Sequence, residues 1–413
     1  MKSRQFRNNS KRRTRVRMCA LLVSMTCPFA YAADPGQVVV PYVQYTYLHD
    51  DNLLRLSGPD AAQTAFGSPR LSDNVQSKQG GLRIDKTLSR QHILLDASAT
   101  KNTFDHFSQF DNDGRDLKAD WGWVLGEHVS GNLGYVYSRS LTPFQNFRVL
   151  QANIRTMDTK YLNVAWQLHP DWAVHVQASK FGLAYDLLSQ QSNNFTQNIA
   201  EFGVDYTPRS GSTAGLQVRR TTGRYPFDSV IGTGTVNNSF VQEDYKAKIV
   251  WLYSDKTKLQ FLGGVTQRER DAAAPGSGYR GLNARLIGDW AATAKTGFTA
   301  NLWREIGGVN DIDANFALTT GASLVASYQP TAKLRFDGLV DYEHRNYNGA
   351  SIVTGVTPST RRDNYEKATL SLTYSPTTSL SLMLAVYREN LKSNINSFGY
   401  LSNGISLTSR YEF

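Results

Sequence analysis

Apolar and polar side chains alternate along segments of nine to fifteen residues from near residue 38 to the last residue, in stretches rich in Tyr, Trp, Val, Leu and Thr. A period of two puts successive side chains on opposite faces of an extended strand. Helical periodicity is hard to find. Beyond residue 32 there is no run of eighteen apolar residues, which excludes a helical inner-membrane protein. The alternation predicts eighteen strands, near 38–48, 77–89, 91–104, 113–125, 131–141, 153–168, 171–184, 196–206, 212–222, 240–253, 256–268, 278–290, 296–306, 314–328, 332–345, 362–375, 378–390 and 399–413.

The connections sort into two classes. One set is short and built of turn formers: 89–91, 169–171, 208–211, 254–256, 329–331 and 376–377. The alternate set is longer and polar: 49–76, 105–112, 142–152, 185–195, 223–239, 346–361 and 391–398. Short turns on one side and long loops on the other are expected of an up-and-down transmembrane barrel, with the short turns in the periplasm. A soluble sandwich has no reason to sort its loops. A hairpin period of roughly forty residues also fits a propeller, but the sorted loops favour an all-β transmembrane antiparallel barrel.

Parity then assigns faces. Leu82 and Ile84 oppose Arg83 and Asp85, and Leu117, Ala119 and Trp121 oppose Lys118 and Asp120. Leu282, Ala284 and Leu286 oppose Asn283, Arg285 and Asp289, while Leu334, Phe336, Val340 and Tyr342 oppose Arg335, Asp337, Asp341 and Glu343. In a sandwich the apolar sets would meet in a core. In a membrane barrel they face lipid, where a mid-depth Arg or Lys costs about 2–4 kcal/mol, and the charged sets line a lumen. Trp303 and Tyr387 share the lumen parity. Tyr45, Tyr47, Trp121, Tyr137, Trp172, Trp251, Tyr374 and Tyr411 suit interfacial girdles.

Residues 1–32 read as a secretory signal, leaving residues 33–413 as a single domain. A basic start is followed by a short apolar core from Met18 to Met25, then Pro28 and an Ala30-Tyr31-Ala32 cleavage site. Arg12-Arg13 is not followed by apolar residues, so the general secretory route is preferred to twin-arginine export. The segment holds eight basic residues and no acidic one, so its removal lowers the formal charge from +10 to +2 and leaves no case for nucleic acid. Both cysteines, Cys19 and Cys27, leave with it, without a lipobox and without providing a disulfide.

In the last ten residues, Ile405, Leu407, Tyr411 and Phe413 oppose Ser406, Thr408, Arg410 and Glu412. This ending resembles the assembly signal of bacterial outer-membrane barrels, with Tyr411 and Phe413 as its key residues, and implies outer-membrane lipid and the barrel-assembly machinery as partners. The segment Pro41–Arg55 carries a second resemblance. An aromatic strand runs into Asp50-Asp51-Asn52, followed by Leu53 and Arg55. It is similar to the first strand and loop of the EpsL-type outer-membrane barrels of exosortase-linked exopolysaccharide clusters, within a wider group of β-barrel porins. The similar layout extends over the mature chain. That resemblance implies outer-membrane localisation, a role in polysaccharide synthesis or export, and periplasmic and inner-membrane export components as partners. It brings no catalytic set. For Asp50, Asp51 and Asn52 individually, a polar turn that caps the loop is the preferred reading.

Other chemistry is thin. The seven histidines show no metal-ligand spacing, and no cofactor is called for. His92 with Asp96, and His344 beside Glu343, are the acid–base pairs that composition alone supplies. Asp111–Asp116 offers closely spaced oxygens for calcium but lacks the Glu of an EF-hand. Gly232-Thr233-Gly234 does not open a helix and is no phosphate loop. The leading expectation is therefore a non-enzymatic barrel in polysaccharide export. A general or substrate-selective diffusion porin is the alternative; a barrel enzyme and a structural barrel or adhesin rank lower.

Overall fold

The computed structural model describes residues 38–231, 234–270, 278–307, 316–348 and 361–413. The expected signal segment lies outside them, as do Gly232 and Thr233. The strands are β1 Val39–Asp50, β2 Asp73–Leu88, β3 Gln91–Phe104, β4 Asn112–Leu125, β5 Val129–Leu141, β6 Ile154–His169, β7 Trp172–Tyr185, β8 Phe195–Tyr206 and β9 Thr213–Arg224. A small hairpin, β10 Ser229–Ile231 with β11 Gly234–Val236, stands in a long connection. The series resumes with β12 Phe240–Ser254, β13 Thr257–Arg270, β14 Tyr279–Trp290, β15 Thr296–Gly307 and β16 Phe316–Tyr328. It ends with β17 Leu334–Asn348, β18 Arg362–Tyr374, β19 Leu380–Ser393 and β20 Tyr400–Glu412.

Apart from the small hairpin, each strand pairs antiparallel with its neighbours in an eighteen-stranded sheet. β1 also pairs with β20, from Tyr42 opposite Glu412 to Asp50 opposite Gly404, so the sheet closes. Closure leaves no unpaired edge and rules out both the sandwich and the propeller. All eighteen expected strands are present. Several run further towards the long connections than the alternation indicates: β2 begins at Asp73, β17 reaches Asn348 and β19 reaches Ser393. Beyond the membrane both faces of a strand meet water, so pairing continues where the apolar–polar pattern has stopped.

Directly paired residues project to the same face. One face carries the exposed apolar set, including Phe261 opposite Leu286, Leu324 opposite Val340 and Leu384 opposite Leu407. Near the short turns this outer face carries cross-strand aromatic pairs. Trp172 and Tyr206 lie 4.9 Å apart, Trp290 and Phe298 5.4 Å, and Tyr328 and Phe336 6.3 Å. Such pairs contribute about 0.5–1.5 kcal/mol beyond burial, and their amphipathic rings suit a membrane interface. Tyr411 and Phe413 join the same belt, with ring centroids 5.0 Å apart.

The long first connection folds back onto the inner face. It contains a short helix, α1 Pro59–Phe66, which the alternation does not reveal. Proline sits in the helix's first turn and Gly67 closes it in the left-handed conformation (φ 70°). Leu53, Leu54, Leu56 and Ala62 are buried against Val75 and Phe104 on the inner wall and against Phe107 and Phe110 of the next long loop. This is the main apolar core among the described residues. It lies inside one end of the barrel, between loop and wall.

Candidate functional site

The inner wall is charged, and most of its charges have a neighbour of opposite sign or a neutral hydrogen-bond donor. Arg83 lies 3.5 Å from Asp85, and Lys118 stands directly opposite Asp96. Asp120 accepts bonds from Asn132 (2.8 Å) and Tyr161 (2.7 Å). Arg285 reaches Glu305 at 2.6 Å and lies 5.2 Å over the Trp303 ring, while Asp289 accepts from Thr299 at 2.8 Å. Arg335 pairs with Asp337 at 2.8 Å and Glu343 with Arg345 at 2.5 Å. One Asp341 oxygen is buried with no hydrogen-bond partner among the described residues. Lining residues that the alternation did not single out include His175, whose Nδ1 is 2.8 Å from Asp205, and Lys248, which meets the same carboxylate at 2.6 Å. Glu201 and Arg219 pair at 2.6 Å. The period-two rule could have reached all of these, since each has the charged parity of its strand.

Rings on this wall lie flat. His175 faces Gly203 across the sheet, Trp303 faces Gly321, Tyr387 faces Gly404, Tyr161 faces Gly134 and Tyr42 faces Gly81. In each case a Cβ added to the glycine would run into the ring. A glycine thus provides a seat that lets the ring rest on backbone and not project inwards.

At the long-loop end, the Asp50–Arg55 segment does more than end a strand. Asp50, 2 % exposed, accepts four bonds: from Asn52 N (2.9 Å), Arg55 Nη1 (2.7 Å), Tyr387 OH (2.6 Å) and Ser402 OH (2.8 Å). Arg55 also reaches Glu389 at 3.2 Å, and Glu389 meets Lys367 at 2.7 Å. Burial alone would lower the Arg55 pKa; Asp50 and Glu389 outweigh it and hold the guanidinium above its ordinary value. Asn52 fastens the loop to the seam, donating to Leu56 O and Leu401 O at 2.8 Å each. Asp51 binds Asn403 from the other side, accepting from its backbone N–H at 2.6 Å. Leu53 enters the apolar core. The segment is a latch that ties the first loop to the closing seam of the barrel.

Two further loops complete this end. Buried Asp73 accepts the backbone N–H groups of His106 (3.0 Å) and Phe107 (2.9 Å), fixing the 105–111 loop. Arg148, from the loop after β5, donates to Ser397 O and Phe398 O at 2.9 Å each and lies 5.4 Å over Tyr400. That contact joins loops from opposite sides of the latch, so the mouth is spanned over this sector.

Three groupings that the sequence offers but does not favour are not brought together. His92 meets Asp85 (2.8 Å), not Asp96, which accepts from Tyr42 OH at 3.2 Å. His344 lies on the outer face and contacts Asn364 at 2.7 Å, whereas Glu343 projects inwards to Arg345. Adjacent strand residues cannot share a face. Asp113 and Asp116 fail as calcium ligands for the same reason, because β4 already begins at Asn112 and sends them to opposite faces. Asp111 instead accepts from the backbone N–H of Phe104 at 2.8 Å.

A closed eighteen-stranded sheet with an apolar, aromatic-edged outside and a charged inside defines a transmembrane barrel of the outer-membrane class. No protein-family profile and no curated protein matches the sequence. Among solved structures, the chain is similar to the outer-membrane protein OpdK of Pseudomonas aeruginosa, at 11% identity and TM-score 0.46, over 91% of this chain and 99% of that one. It is also similar to OccK2 (OpdF) of the same organism, solved with glucuronate, at 10% identity and TM-score 0.48 over 91% and 98%. OccAB3 of Acinetobacter baumannii follows at 9% identity and TM-score 0.44 over 91% and 99%. At these values nothing about solute or mechanism passes from them to this chain.

Proposed function

We propose that this barrel is a porin, a hydrated passage for small polar solutes that narrows where the first loop is latched to the wall. The observation that carries this reading is the flat seating of the inward rings on opposed glycines, as with Trp303 on Gly321 and Tyr387 on Gly404. Rings held against the backbone leave the axis to water, and eighteen strands enclose enough room for an aqueous channel. The wall residues Arg83, Asp85, Lys118, Asp120, Arg285, Asp289, Arg335, Asp337, Asp341 and Glu343 would line that passage. Because most of these charges have a neighbour of opposite sign, the wall would give modest charge selectivity, and the outer constriction would set the size limit.

The test is single-channel conductance of the refolded chain in a planar bilayer. Discrete steps are expected, and Gly321→Ala or Gly404→Ala should lower their size by pushing a ring inwards. A folded, inserted barrel without steps would reject the reading. Passage of an exopolysaccharide, which the resemblance of Pro41–Arg55 implies, is the second reading. Its support is the row of hydrogen-bonding side chains on the inner wall, such as Asp120, Asn132 and Asn163, since sugars are held by such groups; the Phe398 and Tyr400 faces at the mouth are already taken by Arg148, Arg361 and Arg55. Steps blocked by polysaccharide fragments, but indifferent to small organic acids such as glucuronate, would move the assignment there.

A further inference from the structure

Above Lys86 at the short-turn rim, the outer face of β2–β7 is apolar up to a level at which it abruptly becomes basic. Lys78 stands directly opposite Lys101, Arg115 opposite Arg139, and Lys160 opposite Lys180. Like charges placed opposite each other across a sheet are unfavourable, yet three such pairs follow one another on six consecutive strands. Lys78 and Lys101 each stand ten residues from the short-turn ends of their strands, Leu88 and Gln91. At about 3.3 Å per residue and a tilt of about 40°, that is a height of about 25 Å, the thickness of a barrel's apolar belt. The pairs therefore lie at the level of lipid headgroups on the long-loop side.

Local carboxylates neutralise them only in part. Arg139 meets Asp186 at 2.8 Å. Asp113 stands opposite Lys101, and Asp158 leans over Gly182. Lys78, Lys101, Arg115, Lys160 and Lys180 make no ion pair among the described residues. Lys160 rests 5.7 Å from the Tyr135 ring, which holds its ammonium at the belt's edge. The cations elsewhere on the outside are spaced differently: Arg304 stands opposite Ala284 and Arg388 opposite Ala368. The doubled charge is confined to one sector.

We infer that the outer face of β2–β7 is a docking surface for a polyphosphorylated glycolipid of the outer leaflet. Its phosphates would bridge the like-charged pairs while its acyl chains lie on the apolar belt below. A lipid with several phosphates fits closely spaced cations better than one with a single phosphate, because each bridged pair loses its repulsion.

Native mass spectrometry of the full chain in nonionic detergent, titrated with diphosphorylated lipid A, tests this. The unaltered protein should retain lipid A and bind phosphatidylglycerol or inorganic pyrophosphate far more weakly. The triple variant Lys101→Gln, Arg115→Gln, Lys160→Gln should bind lipid A about tenfold or more weakly, each cation near a charged headgroup contributing to attraction. Arg304→Gln with Arg388→Gln should leave binding unchanged. Equal retention by the triple variant would overturn the inference. If the triple variant does not fold, the unaltered protein decides: binding of fully dephosphorylated lipid A as tight as that of lipid A would overturn it too.

Discussion

Replacing Arg55 with alanine should release the first loop without unfolding the barrel. Arg55 is 13% exposed and its partner Asp50 2%, so water screens the pair little. Breaking a buried pair from one side costs about 3–5 kcal/mol. Asp50 keeps three donors (Asn52 N, Tyr387 OH and Ser402 OH), and Glu389 keeps Lys367. The lower end, about 3 kcal/mol, is therefore expected, which raises the open population of the loop on the order of 100-fold. The rest of the barrel is held by strand pairing that does not pass through Arg55, so the effect should be local.

Hydrogen exchange in detergent reads this directly. The Leu53 amide is bonded to Leu71 O at 2.9 Å and the Leu56 amide to Asn52 Oδ1 at 3.1 Å; both should lose about two decades of protection while mid-strand amides keep theirs. A second substitution sharpens the test. Arg55 has φ 55°, in the left-handed region that costs a residue with a Cβ about 1 kcal/mol. Arg55→Gly should thus be the milder lesion by about 1 kcal/mol, the reverse of the usual order of Gly and Ala. Exchange at Leu53 and Leu56 within threefold of the parent, on the scale of the expected 100-fold change, would refute the latch. So would Arg55→Gly being the worse of the two.

Three other outcomes are expected. Asp73→Ala strands the backbone donors of His106 and Phe107; with about 1–3 kcal/mol for each unsatisfied group, the 105–111 loop should show faster exchange, and unchanged protection there would argue against the anchor. Gly321→Ala places a Cβ in the Trp303 ring; overpacking of about 1–3 kcal/mol should lower the midpoint of thermal unfolding, with a change in tryptophan fluorescence. Deletion of Phe413 removes a residue whose ring meets Tyr411 and whose amide donates to Pro41 O at 3.0 Å; the amount of barrel reaching the outer membrane should fall in cells, and an undiminished amount would show that the assembly machinery does not need this residue.

The strands were legible because lipid imposes a strict rule on one face. Wherever Leu82, Leu286 or Val340 meets lipid, its neighbours must turn inwards, so the faces of Arg83, Arg285 and Asp341 follow from parity alone. Pairing partners were not legible, because parity assigns a face and not a height. Arg285 could have met any acidic residue on the adjoining wall; only the register brings it to Glu305, and only the flat seat of Trp303 on Gly321 puts an indole under its guanidinium. The first loop was least legible. Its helix is eight residues long, too short for periodicity, although Pro59 and Gly67 mark its ends. Its buried face is completed by Phe104, Phe107 and Phe110, which lie far from it in sequence. Asp50 shows the limit of local reading most clearly. As a turn residue it needs only Asn52 N, but closure of β1 on β20 brings Ser402 and Tyr387 to the same carboxylate. A residue that looks like the end of the first strand thus depends on the last two strands of the barrel. The latch is complete only in the closed barrel, so its geometry reports on closure of the seam.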